Sequence, residues 1–361
     1  MGPLLRPDRI VRELHALHTA PTAPQREEPD DRALRRRMLD VIRRAVPHDF
    51  YAFVLTDPQT TVGTSPLAEV PDLDDLPRVI RLKYLTRPGR WTALAQTGCT
   101  TLLAATGGDL SRSDQWAGAL RQHGVTDVLV AVLRDRHGTW GFLDLWRRTG
   151  VFADAEVAAL AAALPAMTAA LRGTAARSFV VGPSSGGRQA PAAHGPGVLL
   201  LGDDLTPVAG TPQLRDWLTT LLPTAADVGP VPASALNVAA QLLAVEAGVD
   251  DHPPTGRVAL APGTWLTVRA DRLTEPLSGA SIAVGYELTS PAERLDLFAR
   301  AHALTPREGE VLVAVATGLD TRGASRRLGI TELTVQDHLK SVFARTAAAS
   351  RADLLARALG T

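Results

Sequence analysis

The apolar positions of the chain change period several times, and each change marks an element. "PDRIVRELHALH" (7–18) and the stretch from Arg32 to Val46 carry apolar residues three and four apart, the spacing of one helix face. "DFYAFVLTD" reads as a strand and "TTVGTSP" as a shorter one, with helices expected over 76–85 and 113–123. "VTDVLVAVLRDRHGTWGFLDLW" is two β-rich runs joined by "RDRHG", a hairpin in which Gly138 supplies a positive φ. An Ala/Leu helix from Asp154 to Leu171 closes this region.

The pattern then repeats in outline. "GVLLLGDDLTPVAG" reads as strand, turn and short strand, and "TPQLRDWLTTLL" and "ASALNVAAQLLAVEAG" as helices. "GTWLTVRADRL" and "SIAVGYEL" alternate at period two, with Ile282, Val284, Tyr286 and Leu288 on one face. Polar, Pro-broken residues 21–31 and the Gly/Ser/Pro-rich stretch 182–197 interrupt the periodicity and read as linkers. The expected division is an N-terminal helix and linker (1–31), an α+β domain (32–172), a linker (173–195), a second α+β domain (196–290) and a helical domain (291–361). The fold class is α+β multidomain with an all-α C-terminus.

Composition narrows the function classes. A chain of 361 residues exceeds one ordinary core, and 45% apolar with 21% charged residues is the balance of a globular protein. The longest apolar run, Val157 to Leu171, is interrupted by Pro165 and falls short of the roughly 18 residues that span a bilayer. No apolar segment follows Arg6, Asp8 and Arg9, so no signal peptide is expected, and a cytoplasmic protein without membrane partners is. The single cysteine, Cys99, excludes an internal disulfide and a cysteine-based metal cluster, and reads as a small buried hydrophobe. With 38 basic and 38 acidic residues the net charge is zero, so a nucleic-acid surface must be local.

Two chemical motifs fail on context. Gly182, Ser184 and Gly186 match the G-x-S-x-G nucleophile elbow, but "GRQAPAAHGPG" cannot form the helix that must follow the serine. Asp203 and Asp204 after a strand suggest a phosphorylated receiver, yet no lysine lies between Lys83 and Lys340 to serve it. No metal-ligand cluster, P-loop or supported triad is present, so no enzyme is expected.

The last sixty residues are more specific. Thr305, Pro306 and Glu308 form a capping box with proline at the first helical position. Val311, Leu312, Val315 and Ala316 share a face, and Gly318 ends the helix. A short helix near Thr321 to Leu328 ends at Gly329, and a third begins after Thr331. Helices are expected over 306–317, 321–328, 332–345 and 351–358, a helix-turn-helix order. Val335, Leu339, Val342 and Phe343 form the buried stripe of the third helix. Its other face offers Leu333, Gln336, Asp337, Lys340 and Ser341, side chains suited to base edges, while Arg326, Arg327, Arg345 and Arg351 suit phosphates. From Arg300 onward nine basic residues stand against six acids, leaving plus three, the sign that DNA requires.

These residues resemble the LuxR-type (NarL/FixJ-like) helix-turn-helix of bacterial transcription regulators. The matches are Leu304, Thr305, Arg307, Glu308, Val311, Leu312, Gly318, Leu319, Leu328 to Thr331, Thr334, Val335, His338, Leu339, Phe343, Ser350 and Arg351. The resemblance implies double-stranded DNA as partner, a homodimer, and RNA polymerase as a further contact. Thr331, Thr334, Val335 and His338 join the implied DNA-binding set. The chain departs from the pattern at Gly323, Ala324 and Ser325, at Asp337, and at Arg345, Thr346 and Ala347.

Residues 32–172 resemble a GAF domain and 196–290 a PAS domain in element order, which implies a small-molecule ligand in either. The Asn-Lys-Phe-Asp-Glu set of cyclic-nucleotide-binding GAF domains is absent, and Cys99 is followed by Thr100, not by the histidine of a bilin attachment site, so no cofactor is assigned. The expected function is a DNA-binding regulator with two sensor-like domains. The alternative is a ligand- or partner-binding protein whose C-terminal helices only dimerise.

Overall fold

The computed structural model describes residues 7–19, 31–94, 98–179, 195–221, 231–261, 263–277 and 279–360. Most of the first linker and the G-x-S-x-G residues Gly182, Ser184 and Gly186 lie outside them. Helices α1 (Pro7–Thr19) and α2 (Asp31–Arg43) precede strands β1 (Phe50–Thr56) and β2 (Gly63–Glu69). Then come α3 (Leu76–Leu85), β3 (Cys99–Thr101), α4 (Leu102–Ala105), β4 (Asp127–Asp135), β5 (Gly138–Arg147) and α5 (Asp154–Arg177). The next series is β6 (Gly197–Leu201), β7 (Pro207–Gly210), α6 (Pro212–Leu221), α7 (Ala233–Glu246), β8 (Thr255–Ala261), β9 (Thr264–Leu277) and β10 (Ala280–Leu288). Five helices end the chain: α8 (Pro291–Ala301), α9 (Pro306–Ala316), α10 (Thr321–Leu328), α11 (Glu332–Thr346) and α12 (Arg351–Leu359).

Contacts divide the chain into two compact units, one of residues 1–171, 191–258 and 266–287, the other of 172–190, 259–265 and 288–361. The first holds two five-stranded sheets of equivalent order, β2-β1-β5-β4-β3 and β7-β6-β10-β9-β8, except for residues 259–265 at the β8–β9 tip, which belong to the second. In the first sheet every neighbouring pair is antiparallel. Strand β5 is central and buried on both faces, with Leu143 and Leu145 alternating against Phe142, Asp144 and Trp146. Its hairpin with β4 turns through Arg136 and His137, and Gly138 has φ +147°, where a side chain would strike the Pro58 carbonyl.

Two ion pairs bind distant segments of this unit. Arg257 on β8 donates from Nε (2.5 Å) and Nη2 (2.8 Å) to Asp57 after β1, and Arg90 pairs with Asp250. Asp57 and Arg257 are both buried, and removing one partner of such a pair costs about 3–5 kcal/mol because the other charge is stranded. Asp203 and Asp204 have local roles. Asp203 accepts from Arg272 and Ser281, and Asp204 accepts from Thr206 in the β6–β7 turn.

Helix α5 runs through Pro165, as the expected span 154–171 requires, and continues past its expected end to Arg177. Pro165 lies on the exposed face, so the carbonyl it frees one turn earlier can face water, while Leu160, Ala163, Met167 and Leu171 are buried in the fold. By length and apolarity α5 could cross a membrane, and half of its most apolar stretch is buried inside the protein. The helix expected over 113–123 is instead a π turn (Trp116–Leu120) and a 3-10 turn (Arg121–His123) closed by Gly124. Strand β2 lies three residues later than "TTVGTSP", and β3, α4, β8 and α8 were not anticipated. Cys99 is buried, and burial pushes its thiol pKa up.

The second unit has its own aromatic centre. Phe179, just past α5, stacks on Trp265 (centroids 5.1 Å apart) and meets the edge of Phe298 at 5.3 Å. Arg294 lies over Phe179 and donates to the carbonyls of Gly263 (2.6 Å) and Arg357 (2.8 Å), the latter in the last turn of α12, where a cation is favoured. Burial lowers the Arg294 pKa to about 10. His302 packs against Phe298 and is held neutral, its pKa lowered to about 4 by burial.

This neutral histidine makes stability fall with acid. An unfolded chain takes up the proton near pH 6.5 and the folded one only near 4, so the contribution is intact above 6.5 and lost as pH falls towards 4. The loss reaches roughly 2–3 kcal/mol by the bottom of that window. Unfolding of the C-terminal helices followed between pH 7.5 and 4.5 should show this slope, and His302→Gln should flatten it; an unchanged slope contradicts the assignment. Separately, Ala347 ends α11 with φ +50°, in the left-handed region. Ala347→Gly is expected to raise the stability of these helices by about 1 kcal/mol in urea titration, since a Cβ is strained there.

Candidate nucleic-acid interface

Each helix of the C-terminal four begins on a side-chain cap. Thr305 and Glu308 satisfy each other's backbone N–H groups, Asp320 accepts from Gly323 N at 2.6 Å, Thr331 from Thr334 N at 3.1 Å, and Ser350 from Asp353 N at 3.1 Å. Gly329 closes α10 at φ +66° and turns the chain into α11. Val311, Ala314, Val315, Ala324 and Val335 form the core, with Leu319, Leu328, Ile330, Leu339 and Leu355 packed around it.

Polar contacts then fix α11 on α9. Glu308 is 4% exposed; its Oε2 accepts from Thr305 N at 2.7 Å and its Oε1 from the Ser341 hydroxyl at 2.5 Å. Arg345 Nε lies 3.5 Å from the same Oε1, and its Nη1 donates to the Ala303 carbonyl at 3.2 Å. Burial alone would raise the Glu308 pKa, but the bonds from Ser341 and Thr305 outweigh it and hold the carboxyl below its usual range. Arg307 donates to the Leu328 carbonyl at 2.7 Å and Arg351 to that of Leu319, covering backbone oxygens at the end of α10 and after α9.

The packing leaves one face of α11 outward. Leu333 is 65% exposed, a large apolar side chain in the first turn, and Thr331, Gln336, Asp337 and Lys340 are exposed around it. Thr334 and His338 are half-buried at its edge, and the Thr334 and Thr331 hydroxyls are 2.8 Å apart. Lys340 and Asp337 form an open ion pair at 3.4 Å, which adds little stability and offsets some of the lysine's charge. Arg326 and Arg327, in the last turn of α10, are exposed without a hydrogen-bond or ion-pair partner among the described residues.

One expected contact is corrected by this geometry. Val335 is fully buried in the core and cannot reach a nucleic acid. Three other expected contacts also have partners within the protein: Ser341 bonds Glu308, Arg345 meets Glu308 and Ala303, and Arg351 bonds the Leu319 carbonyl. One cation was overlooked. Arg322 is exposed one turn before Arg326 on the same side of α10, and the i, i+4 spacing was its signal. The departure at Gly323 also has a local cause: a Cβ there would lie 3.0 Å from the capping oxygen of Asp320.

Comparison with known proteins agrees with this part of the chain. Residues 302–358 match the protein-family model described as "Bacterial regulatory proteins, luxR family". No curated protein matches the chain. Among solved structures it is similar to Escherichia coli SdiA (13% identity, 98% of this chain and 97% of that one, TM-score 0.29) and to SdiA in complex with octanoyl-rac-glycerol (14%, 98% and 94%, TM-score 0.28). A sensor region of a sensor histidine kinase aligns at 19% identity over 45% of this chain and 63% of that one, with a TM-score of 0.17. At these TM-scores the structural alignments add nothing to the assignment, which rests on the family match and the capped four-helix geometry: residues 302–358 are a LuxR-family helix-turn-helix domain.

Proposed function

We propose that the chain is a transcription regulator in which the sensor-like residues 32–290 govern DNA binding by the C-terminal helix-turn-helix. The observation that carries the reading is the outward face of α11, where Leu333, Gln336 and Lys340 project from a helix whose opposite face is locked into the core. In a major groove the Leu333 side chain meets thymine methyl groups, Gln336 pairs with adenine, and Asp337 accepts from cytosine. Arg322, Arg326, Arg327 and Lys340 supply the phosphate contacts.

One such module buries only roughly 600–1,000 Å² of protein surface on DNA, which favours a homodimer on two half-sites one helical turn apart. RNA polymerase is the further partner that a promoter-bound regulator implies. The shared strand order of the two sheets supports the GAF-like and PAS-like identities of residues 32–172 and 196–290. A cytoplasmic location belongs to the same proposal.

The test is selection of binding sites from a random duplex pool with the full-length protein, followed by affinity measurements across salt concentrations. An enriched pseudo-palindromic sequence supports the reading; no enrichment overturns it. On that site, Lys340→Ala is expected to reduce the slope of log affinity against log salt by about one and to weaken all sequences alike. Loss confined to one sequence would make Lys340 a base reader.

A further inference from the structure

Within the first unit a cavity of about 450 Å³ lies between the first sheet and α3, with α7 forming part of its wall. This is a volume suited to a small organic ligand. Its walls are mostly apolar, from Val54 of β1, Val79 and Ile80 of α3, and the Trp91 ring.

The exposed Arg36 and Glu69 and the half-buried Arg32 also line it, and the buried polar groups around it are of two kinds. One set is already satisfied: Lys83 Nζ lies 2.8 Å from Asp144 Oδ2, Trp91 Nε1 donates to Asp144 Oδ1 at 2.7 Å, and the ammonium sits 4.7 Å from the centre of the Trp91 ring. The other set is left open. Asn237 of α7 is 3% exposed and Gln115 is 4% exposed, and neither side-chain amide has a hydrogen-bond partner among the described residues. The Trp146 indole, 2% exposed, has an unpartnered N–H in the same wall. Buried polar groups are nearly always paired, so three open ones around one cavity call for a partner. Gly63 makes room for Asn237, since a Cβ there would lie 3.0 Å from its Cγ.

We propose that this cavity binds a small, neutral, planar molecule carrying an amide or lactam, clasped between α3 and α7. Among the buried groups the Lys83–Asp144 pair is neutral as a whole, and a net charge brought beside it, away from the exposed Arg36 and Glu69 that also line the cavity, would go uncompensated. Two side-chain amides and an indole N–H ask for a ligand that both donates and accepts, as an amide does, and the flat aromatic and aliphatic walls accept a ring. Because Asn237 belongs to α7 and the floor belongs to the first sheet, the ligand joins segments on either side of the second linker. The inference rests on reading residues 32–290 as a sensor and names its site.

The probes are benzamide and quinolin-2-one, with benzoate and benzylamine as charged counterparts, titrated into the full-length protein by ligand-observed NMR. The neutral pair should bind saturably and more tightly than either ion, and benzamide should slow hydrogen exchange in both α3 and α7. Asn237→Leu and Gln115→Met, checked for native circular dichroism, should each weaken benzamide at least tenfold, about 1.4 kcal/mol; the second variant stands in if the first does not fold. Tighter binding of an ion, unchanged affinity in both variants, or no saturable probe, as for a cleft filled by water only, overturns the proposal. DNA affinity measured on the same samples separates the two ideas. Benzamide uptake without DNA binding overturns the regulator and leaves this site standing, whereas DNA binding without probe uptake removes the site alone.

Discussion

The buried carboxylate of Glu308 is the contact on which the DNA-facing surface depends. It closes the first turn of α9 through Thr305 and reaches across to Ser341 and Arg345 on α11. A carboxylate this deeply buried is tolerated only when its oxygens are bonded, so its partners are held in one arrangement. α11 is thereby fixed against α9 from its middle to its last turn, while Val335 and Val342 seat it in the core. The outward residues inherit that rigidity. A recognition helix needs this property, because base readout depends on side chains held at defined positions.

The same unit shows how a charged residue can organise an apolar centre. Arg294 covers the Phe179 ring and bonds the carbonyls of Gly263 and Arg357, so one guanidinium ties the end of α5, the tip of the β8–β9 hairpin and the end of α12. Its burial and that of His302 carry an electrostatic cost, offset for Arg294 by the ring face and two carbonyls. The helix-turn-helix is therefore joined to neighbouring chain by side-chain packing as well as by the peptide backbone.

Much of this was legible in the sequence where local rules dominate. Thr305, Pro306 and Glu308 gave the start of α9 to the residue, and Gly329 with Thr331 gave the turn into α11. The same signature at Ser290, Pro291 and Glu293 caps α8 and was open to the same rule. What local rules could not supply was tertiary. Nothing near Ser341 announces that its hydroxyl belongs to Glu308, 33 residues earlier, and Val335 was assigned both to the core and to DNA because a motif match does not say which way a side chain faces. Helix α5 outran its expected end because Ala and Arg continue a helix readily once Pro165 is accommodated on the solvent side. Strand β8 was missed because its short run lies behind Pro253 and Pro254 and is held by the Arg257–Asp57 pair, which joins residues two hundred positions apart. The cavity was invisible for the same reason: Gln115, Trp146 and Asn237 meet only in the fold.

The central claim is that α11 enters the major groove with its Leu333, Gln336 and Lys340 face. The most direct measurement is methylation interference on the selected duplex with the full-length protein, which reports guanine N7 in the major groove separately from adenine N3 in the minor groove. The account predicts interference at guanine N7 within each half-site, and its loss when Glu308→Ala frees α11 from α9. Interference confined to adenine N3, or the same N7 pattern after Glu308→Ala, would contradict it.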